Sequence, residues 1–341
     1  MPEVVNFSHF NRKGWSFGVK AFTLVWSKSM FDAAMSTLSA FPAPCSAKRA
    51  LLSALWYFEI FQHPLTATEL FEFANCPEET PLLLAEKLAE LVQEGFIYQF
   101  GTYYQSKNDP GWVPRRLDYN RRAARYLPIA RRLARLIGAF PFIRAVFVSG
   151  SLSKHCMAPD GDIDYFLITE PGRLWLARTL LVVFKKLFLF NSHKYFCVNY
   201  FIDTEHLEIE DKNLFTATET LTLLPLYGRE WYERFAAAND WAKQYLPNLA
   251  WRSAEMTPPP RPGAFKKMAE WILNGRLGAW LDVQTMRLTV AYWRRKFRHF
   301  DENTFDGALR SRRYVSKHHP LYFQQRVMNA YLKKIESEVN K

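Results

Sequence analysis

The sequence contains few cysteines and no long apolar run. Its four cysteines are far apart and lack the CxxC or Cys/His spacing of a zinc site, which argues against a disulfide scaffold and a zinc module. The most apolar stretch, residues 174–190, is interrupted by Arg178, Lys185 and Lys186, so it falls short of the roughly 18 apolar residues expected of a spanning helix. The first 16 residues are largely polar and do not resemble a secretory signal, so we predict a cytoplasmic protein.

Acidic residues are outnumbered by basic ones. The 341 residues carry 45 Lys and Arg against 33 Asp and Glu, a formal net charge of +12, within an otherwise ordinary globular composition. Two segments hold the excess: residues 113–135 contain eight arginines and one aspartate, and residues 265–341 contain 16 basic and seven acidic residues. This concentration of positive charge predicts an anionic partner. The alternative is that the two segments are solvated helical faces without a specific ligand.

Proline and glycine clusters suggest four parts. Residues 1–46 have no assignment, and residues 47–112 form the first predicted domain, which ends near Asp109-Pro110-Gly111. Residues 113–255 form the second predicted domain. Residues 256–341 comprise a proline linker and a predicted helical, basic C-terminal domain. The expected fold class is α+β.

Residues 47–112 predict three helices followed by a β-hairpin. Apolar spacing favours helices at 47–61, 67–74 and 80–94, and two short strands turn near Gly101. This order resembles a winged helix-turn-helix. The third helix offers mainly glutamates, which repel phosphate, so a structural or protein-contact role is favoured over DNA reading.

The second domain predicts a small mixed sheet. A basic helix over 115–137, kinked or split at Pro128, precedes strands at 143–148 and 162–169. A helix over 173–190 and a strand over 195–202 complete the order β, β, α, β.

One pattern in this domain carries chemistry: Gly150-Ser151 after the first strand, and Asp162-Ile163-Asp164 at the start of the second. Residues i and i+2 of a strand point to the same side, so the two carboxylates project together while Ile163 enters the core. Paired carboxylates repel unless a cation lies between them, and oxygen ligands with phosphate suit Mg²⁺. The glycine allows a phosphate to approach the backbone.

A Gly-Ser turn, an Asp-x-Asp and this strand order resemble the DNA polymerase beta-like nucleotidyltransferase superfamily, over about residues 143–203. The resemblance implies a Mg²⁺-dependent transfer of a nucleoside monophosphate from a nucleoside triphosphate, with ATP the favoured donor, to an acceptor hydroxyl. Asp162 and Asp164 would be catalytic metal ligands. The implied nucleotide contacts are Gly150, Ser151, Ser153 and Lys154.

The superfamily's third carboxylate, often the general base, has no clear counterpart. Strand 195–202 carries Asn199, a poor base, and ends at Asp203, with Glu208 and Glu210 beyond it. Asp203 is the chosen candidate. If no acid reaches the site, the enzyme would be impaired.

The C-terminal part is predicted to be helical over 265–300. Residues 294–319 then mix cations, hydroxyls and aromatics, which suits phosphate binding and base stacking, and His318 and His319 are expected to cap or contact phosphate. The alternative to an enzyme is a nucleic-acid-binding or protein-binding winged-helix protein with a vestigial transferase fold. RNA or DNA would then bind the basic segments 113–135 and 294–319.

Overall fold

The computed structural model describes residues 46–77, 80–189, 194–254, 257, 263–319 and 321–339. The unassigned N-terminal segment, except Ser46, and most of the proline linker lie outside the described residues. The protein is α+β, as predicted, with two sheets surrounded by helices.

The N-terminal unit contains three helices and a three-stranded antiparallel sheet. The helices are α1 (Ala47–Glu59), α2 (Ala67–Phe73) and α3 (Pro81–Gln93), and the strands are β1 (Leu65–Thr66), β2 (Tyr98–Phe100) and β3 (Tyr103–Gln105). The strand order is β1-β3-β2. α2 begins where Thr66 and Glu69 form a reciprocal capping box, which satisfies two backbone donors at that end of the helix.

α4 (Trp112–Gly138) joins this unit to the larger sheet and continues through Pro128 as one helix. Buried Arg116, near its beginning, donates hydrogen bonds to the Pro64 carbonyl and the Glu69 carboxylate. This arginine therefore holds the N-terminal unit against α4 and does not contribute to an exposed basic surface.

The larger sheet has five strands in the order β7-β4-β5-β6-β8. They are β4 (Ile143–Ser149), β5 (Asp164–Thr169), β6 (Cys197–Asp203), β7 (Leu224–Tyr227) and β8 (Val315–Lys317). β5 and β6 are parallel, and the other neighbours are antiparallel. The connecting elements are α5 (Gly150–Ser153), α6 (Leu174–Phe188), α7 (Leu214–Leu221), α8 (Arg229–Ala238) and a 3-10 helix (Asp240–Gln244).

Both faces of this sheet are buried. Alternate residues of β4 enter different cores: Val146 and Val148 pack on the side of α4 and α6, whereas Phe147 packs on the side of α8. A strand covered on both faces reads as a continuous apolar run, which is how residues 143–148 appear in the sequence.

The C-terminal helices are α9 (Ala264–Leu273), α10 (Arg276–Lys296), α11 (Glu302–Leu309) and α12 (Phe323–Val339). The stretch predicted to be helical over 265–300 consists of two helices, α9 and α10, because the chain breaks at Asn274-Gly275. None of the described helices combines the length and the apolar character needed to cross a bilayer.

The C-terminal part is attached to both other parts of the chain. β8 completes one edge of the large sheet beside β6. α12 contributes Val327, Met328 and Tyr331 to the core of the N-terminal unit. The core of the N-terminal unit thus includes residues of the last helix of the chain.

Candidate functional site

The Gly150 turn directly follows β4 and faces the first residue of β5. Gly150 has a φ of +68°, and a Cβ at this position would lie 2.9 Å from Oδ2 of Asp164. Ser149 is paired with Asp164 across the antiparallel strands. Glycine is therefore required both by its backbone conformation and by the carboxylate packed against it.

Asp164 lies in a confined, polar setting at the start of β5. Its Oδ1 accepts a hydrogen bond from Nδ2 of Asn199 on β6, at 3.0 Å. Burial, together with the neighbouring carboxylates of Asp162 and Glu219, raises the pKa of Asp164 to about 7 against the opposing hydrogen bonds of Cys197 and Asn199. Asp164 is therefore only partly ionised near pH 7 in the free chain.

Asp162 is partly exposed just before β5, and Ile163 between the two aspartates is fully buried. The Asp162 carboxylate is close enough to Asp164 to raise its pKa, and the residue between them enters the core. Their oxygens, with the amide of Asn199, form a donor set suited to a hard divalent cation. Among the described residues, no three His, Cys, Asp or Glu side chains are placed to share a metal ion. Mg²⁺ usually binds through one or two carboxylates and completes its coordination with phosphate and water, so the donor set fits that ion.

Glu219 is a third carboxylate at this turn, which the sequence analysis missed. It comes from α7, and its Oε2 accepts a hydrogen bond from the Gly150 amide at 3.1 Å. Its Oε1 accepts one from Nζ of Lys154 at 2.7 Å, and the same ammonium donates to the Gly150 carbonyl at 3.0 Å. Glu219 therefore occupies the amide and the cation that a phosphate oxygen would use.

The predicted nucleotide contacts separate into two groups. Gly150 and Lys154 lie at the turn with their polar groups directed to Glu219, and Ser151 is exposed beside them. Ser153 is fully buried, and its hydroxyl donates to the Gly150 carbonyl at 2.8 Å. Ser153 thus stabilises the turn, and its predicted role as a phosphate contact is corrected.

Asp203 lies away from this cluster. In the parallel pair β5 and β6, Asp164 is level with Cys197, whereas Asp203 is level with Thr169 five residues further along, or about 17 Å. Asp203 is 2 % exposed, and its Oδ1 accepts hydrogen bonds from the backbone amides of Glu205 and His206. It closes a turn at the opposite end of the sheet, so the choice of Asp203 as third carboxylate is corrected.

The polar residue of β6 that contacts the Asp164 carboxylate through a hydrogen bond of its side chain is Asn199, whose amide donates to Oδ1. The acid that does reach the turn comes from a helix 69 residues after Gly150 in the sequence. Glu219 stands in the run Thr-Ala-Thr-Glu-Thr, which has no spacing relation to the strands, so no sequence signal identifies it.

Four of the eight lysines and arginines of segment 294–319 are paired with acidic side chains. Arg310 and Lys317 are buried and both pair with Asp211, at 2.9 and 3.0 Å. Arg310 also pairs with Glu210 and Asp306, Arg312 pairs with Asp306, and Arg294 pairs with Glu302. The predicted phosphate-binding role for this segment therefore falls to its other four cations, Arg295, Lys296, Arg298 and Arg313, which are exposed.

His318 and His319 are packed against aromatic rings. His318 lies 4.8 Å from the ring of Trp293, and His319 lies 6.3 Å from the ring of Tyr200. Burial lowers the pKa of His318 to about 3 and that of His319 to about 4, so both rings are neutral near pH 7. Neutral, packed imidazoles do not fit the expected phosphate contact.

No family model, no curated protein and no solved structure matches the chain.

Proposed function

We propose that the chain is a Mg²⁺-dependent nucleotidyltransferase that moves a nucleoside monophosphate from a nucleoside triphosphate to an acceptor hydroxyl. One observation carries this proposal: the Gly150 turn packs against Asp164 across two antiparallel strands, with a parallel third strand beside them. This arrangement supports the resemblance to the DNA polymerase beta-like nucleotidyltransferase superfamily. The three-helix unit with its antiparallel sheet likewise supports a winged-helix-like N-terminal domain.

Each residue of the cluster has a role in the proposed reaction. Asp162 and Asp164 would hold Mg²⁺, which when bound stabilises charge on the phosphoryl group and activates the attacking hydroxyl. Asn199 orients Asp164 through the hydrogen bond to Oδ1. The amide of Gly150 and the ammonium of Lys154 bind phosphate oxygens, and Ser153 keeps the turn in place.

Glu219 competes with the nucleotide in this proposal. Its carboxylate accepts from both donors that the phosphate requires, and its charge repels the phosphate. A nucleotide must therefore displace Glu219 before Lys154 and Gly150 can bind it.

The test is thermal melting with ATP, GTP, CTP and UTP, each with Mg²⁺ and with EDTA. A ligand at about 100 times its dissociation constant stabilises by roughly 2.7 kcal/mol, so binding raises the melting temperature measurably. We expect a Mg²⁺-dependent rise with at least one nucleotide. The rise should disappear in Asp164→Asn and persist in Asp160→Asn, a matched change at an exposed turn. No rise with any nucleotide in folded wild type contradicts the proposal.

A second candidate function, nucleic-acid binding, is favoured by one surface of α4. Arg125, Arg131, Arg132 and Arg135 are exposed on this helix, whereas its one aspartate, Asp118, pairs with Arg121 and Arg122. An exposed arginine row attracts a polyanion and makes binding steeply salt-dependent. RNA or DNA affinity that falls with salt and with Arg132→Gln, but is unchanged in Asp164→Asn, would identify this function.

A further inference from the structure

Two consecutive helices, α9 and α10, present large apolar side chains to solvent. On α9, Phe265, Met268 and Trp271 follow at intervals of three residues, with Ile272 beside them, and Trp271 is 82 % exposed. Exposed apolar residues grouped along one helix face mark interaction sites in soluble proteins.

α10 continues the pattern along its own outer side. Leu277, Trp280, Leu288 and Tyr292 recur at helical spacing, and Leu288 is 71 % exposed. The inner side of the same helix is also apolar, because Trp293 is buried against the core of the large sheet. The outer stripe is therefore additional to the residues that fix the helix to the protein.

Polar contacts hold both helices with the apolar stripes outward. On α9, Nζ of Lys266 donates to the carbonyls of Gly138 and Ile143 at 2.8 and 2.6 Å, and Glu270 accepts from the Phe142 amide at 2.7 Å. On α10, Asp282 accepts from the Leu176 amide at 2.9 Å. These bonds leave Trp271 and the other outer residues facing away from the core.

The acidic side chains of α9 and α10 face the core, whereas most of their basic side chains face solvent. Glu270 and Asp282 are the two acids of residues 263–300, and both are engaged on the inner side. Lys266 is buried, and the exposed cations of α9 and α10 are Lys267, Arg276, Arg287, Arg295 and Lys296, with Arg294 paired to Glu302 just beyond this segment. The outer surface thus combines tryptophan, phenylalanine and leucine with positive charge and carries no exposed carboxylate within these residues.

We propose that the outer faces of α9 and α10 bind the surface of an anionic lipid bilayer. Helices that lie in the membrane interface carry Trp, Phe and Leu on the buried side and Lys or Arg beside them, which is the composition found here. Tryptophan and tyrosine favour the headgroup level, and each Lys or Arg near an anionic surface adds attraction. The inference is independent of the nucleotide site, since none of its residues lies at the Gly150 turn.

Charge disfavours two other occupants. A second copy of the chain would place the same cationic surface against itself. The N-terminal residues 1–45 carry Arg12, Lys13, Lys20 and Lys28 against Glu3 and Asp32, so their net charge has the same sign as the surface. An anionic bilayer offers an apolar interior to the exposed aromatic and aliphatic side chains and negative headgroups to the exposed cations.

The test is vesicle flotation of the full chain. Vesicles of phosphatidylcholine are compared with vesicles of phosphatidylcholine and phosphatidylglycerol in equal parts, at low and high salt. We expect binding to the anionic vesicles that weakens with salt. Trp271→Ala should lower the partition coefficient by about tenfold, and Arg287→Gln by about fivefold. The control is Phe96→Ala, an aromatic that is 60 % exposed on the N-terminal unit and should leave binding unchanged.

Fluorescence locates the contact. Acyl chains brominated near the headgroup should quench wild-type tryptophan emission, and the double variant Trp271→Phe, Trp280→Phe should still bind but lose most of that quenching. Absence of binding by monodisperse wild type overturns the proposal, as does binding that Trp271→Ala leaves unchanged. A dimer that Trp271→Ala dissociates, without vesicle binding, would assign the surface to self-association and also overturn it.

Discussion

Replacing Gly150 by alanine tests the contact on which the candidate site depends. Alanine at a φ of +68° costs about 1–2 kcal/mol, because its Cβ crowds the following carbonyl. The same Cβ would also lie 2.9 Å from Oδ2 of Asp164, closer than such contacts allow, so the carboxylate must move. Its movement strains the hydrogen bond from Asn199, which is worth about 1–2 kcal/mol to a carboxylate that is partly ionised near pH 7.

Together these effects predict that Gly150→Ala lowers the free energy of unfolding by about 2–4 kcal/mol. Gly172→Ala is the matched control. It lies just after β5 with a φ of +65°, but the nearest atom to its added Cβ is Nη2 of Arg313 at an ordinary 3.7 Å. The control therefore carries the conformational cost alone, about 1–2 kcal/mol.

Thermal melting followed by circular dichroism measures the difference. With roughly 2 °C per kcal/mol for a chain of this size, Gly150→Ala should melt about 4–8 °C below wild type and Gly172→Ala about 2–4 °C below. Gly150→Ala should also lose the Mg²⁺-dependent nucleotide shift, which Gly172→Ala should keep. Equal melting temperatures for the two variants would refute the packing of Asp164 against the turn.

Three further variants test other parts of the account. Glu219→Gln should tighten Mg²⁺-nucleotide binding by about tenfold in calorimetry, because the uncharged amide competes less well than the carboxylate for Gly150 and Lys154. The control Glu230→Gln should have no effect. Weaker binding in Glu219→Gln would contradict the proposed competition. Asp203→Asn should cost about 1–2 kcal/mol of stability without changing nucleotide affinity, and lost affinity would return Asp203 to the site. Burial lowers the pKa of Lys266 to about 8 from its ordinary 10.5. Between these two pH values the unfolded chain holds a proton on Lys266 that the folded chain has released. Wild type should gain about 3 kcal/mol of stability over Lys266→Met as the pH rises from 8 to 10.5, and parallel stability curves would contradict this.

The sequence predicted the parts of the site that depend on local order. The apolar run before Gly150 and the alternation around Ile163 define two strands, and their register places Ser149 opposite Asp164. Periodicity also located the helix over 173–190, observed as α6. These features follow from short-range spacing, which a single sequence contains.

Other parts depend on tertiary contacts that spacing does not encode. Glu219 reaches the turn only because the tertiary fold brings α7 to the Gly150 amide, and Asp203 is removed from it only because β6 is parallel to β5. The basic run near residue 310 suggested a phosphate surface, yet Arg310 and Lys317 are buried against Asp211. Charge counted along the chain therefore overestimated the positive charge available to a ligand.

The proposed function requires that Asp162, Asp164 and the Gly150 turn bind a nucleoside triphosphate with Mg²⁺. Isothermal titration of wild type with each of the four nucleotides, in Mg²⁺ and in EDTA, measures this binding. We expect one site per chain for at least one nucleotide, binding only with Mg²⁺, and no binding in Asp164→Asn. Absence of binding in wild type, or binding without metal that Asp164→Asn retains, would contradict it.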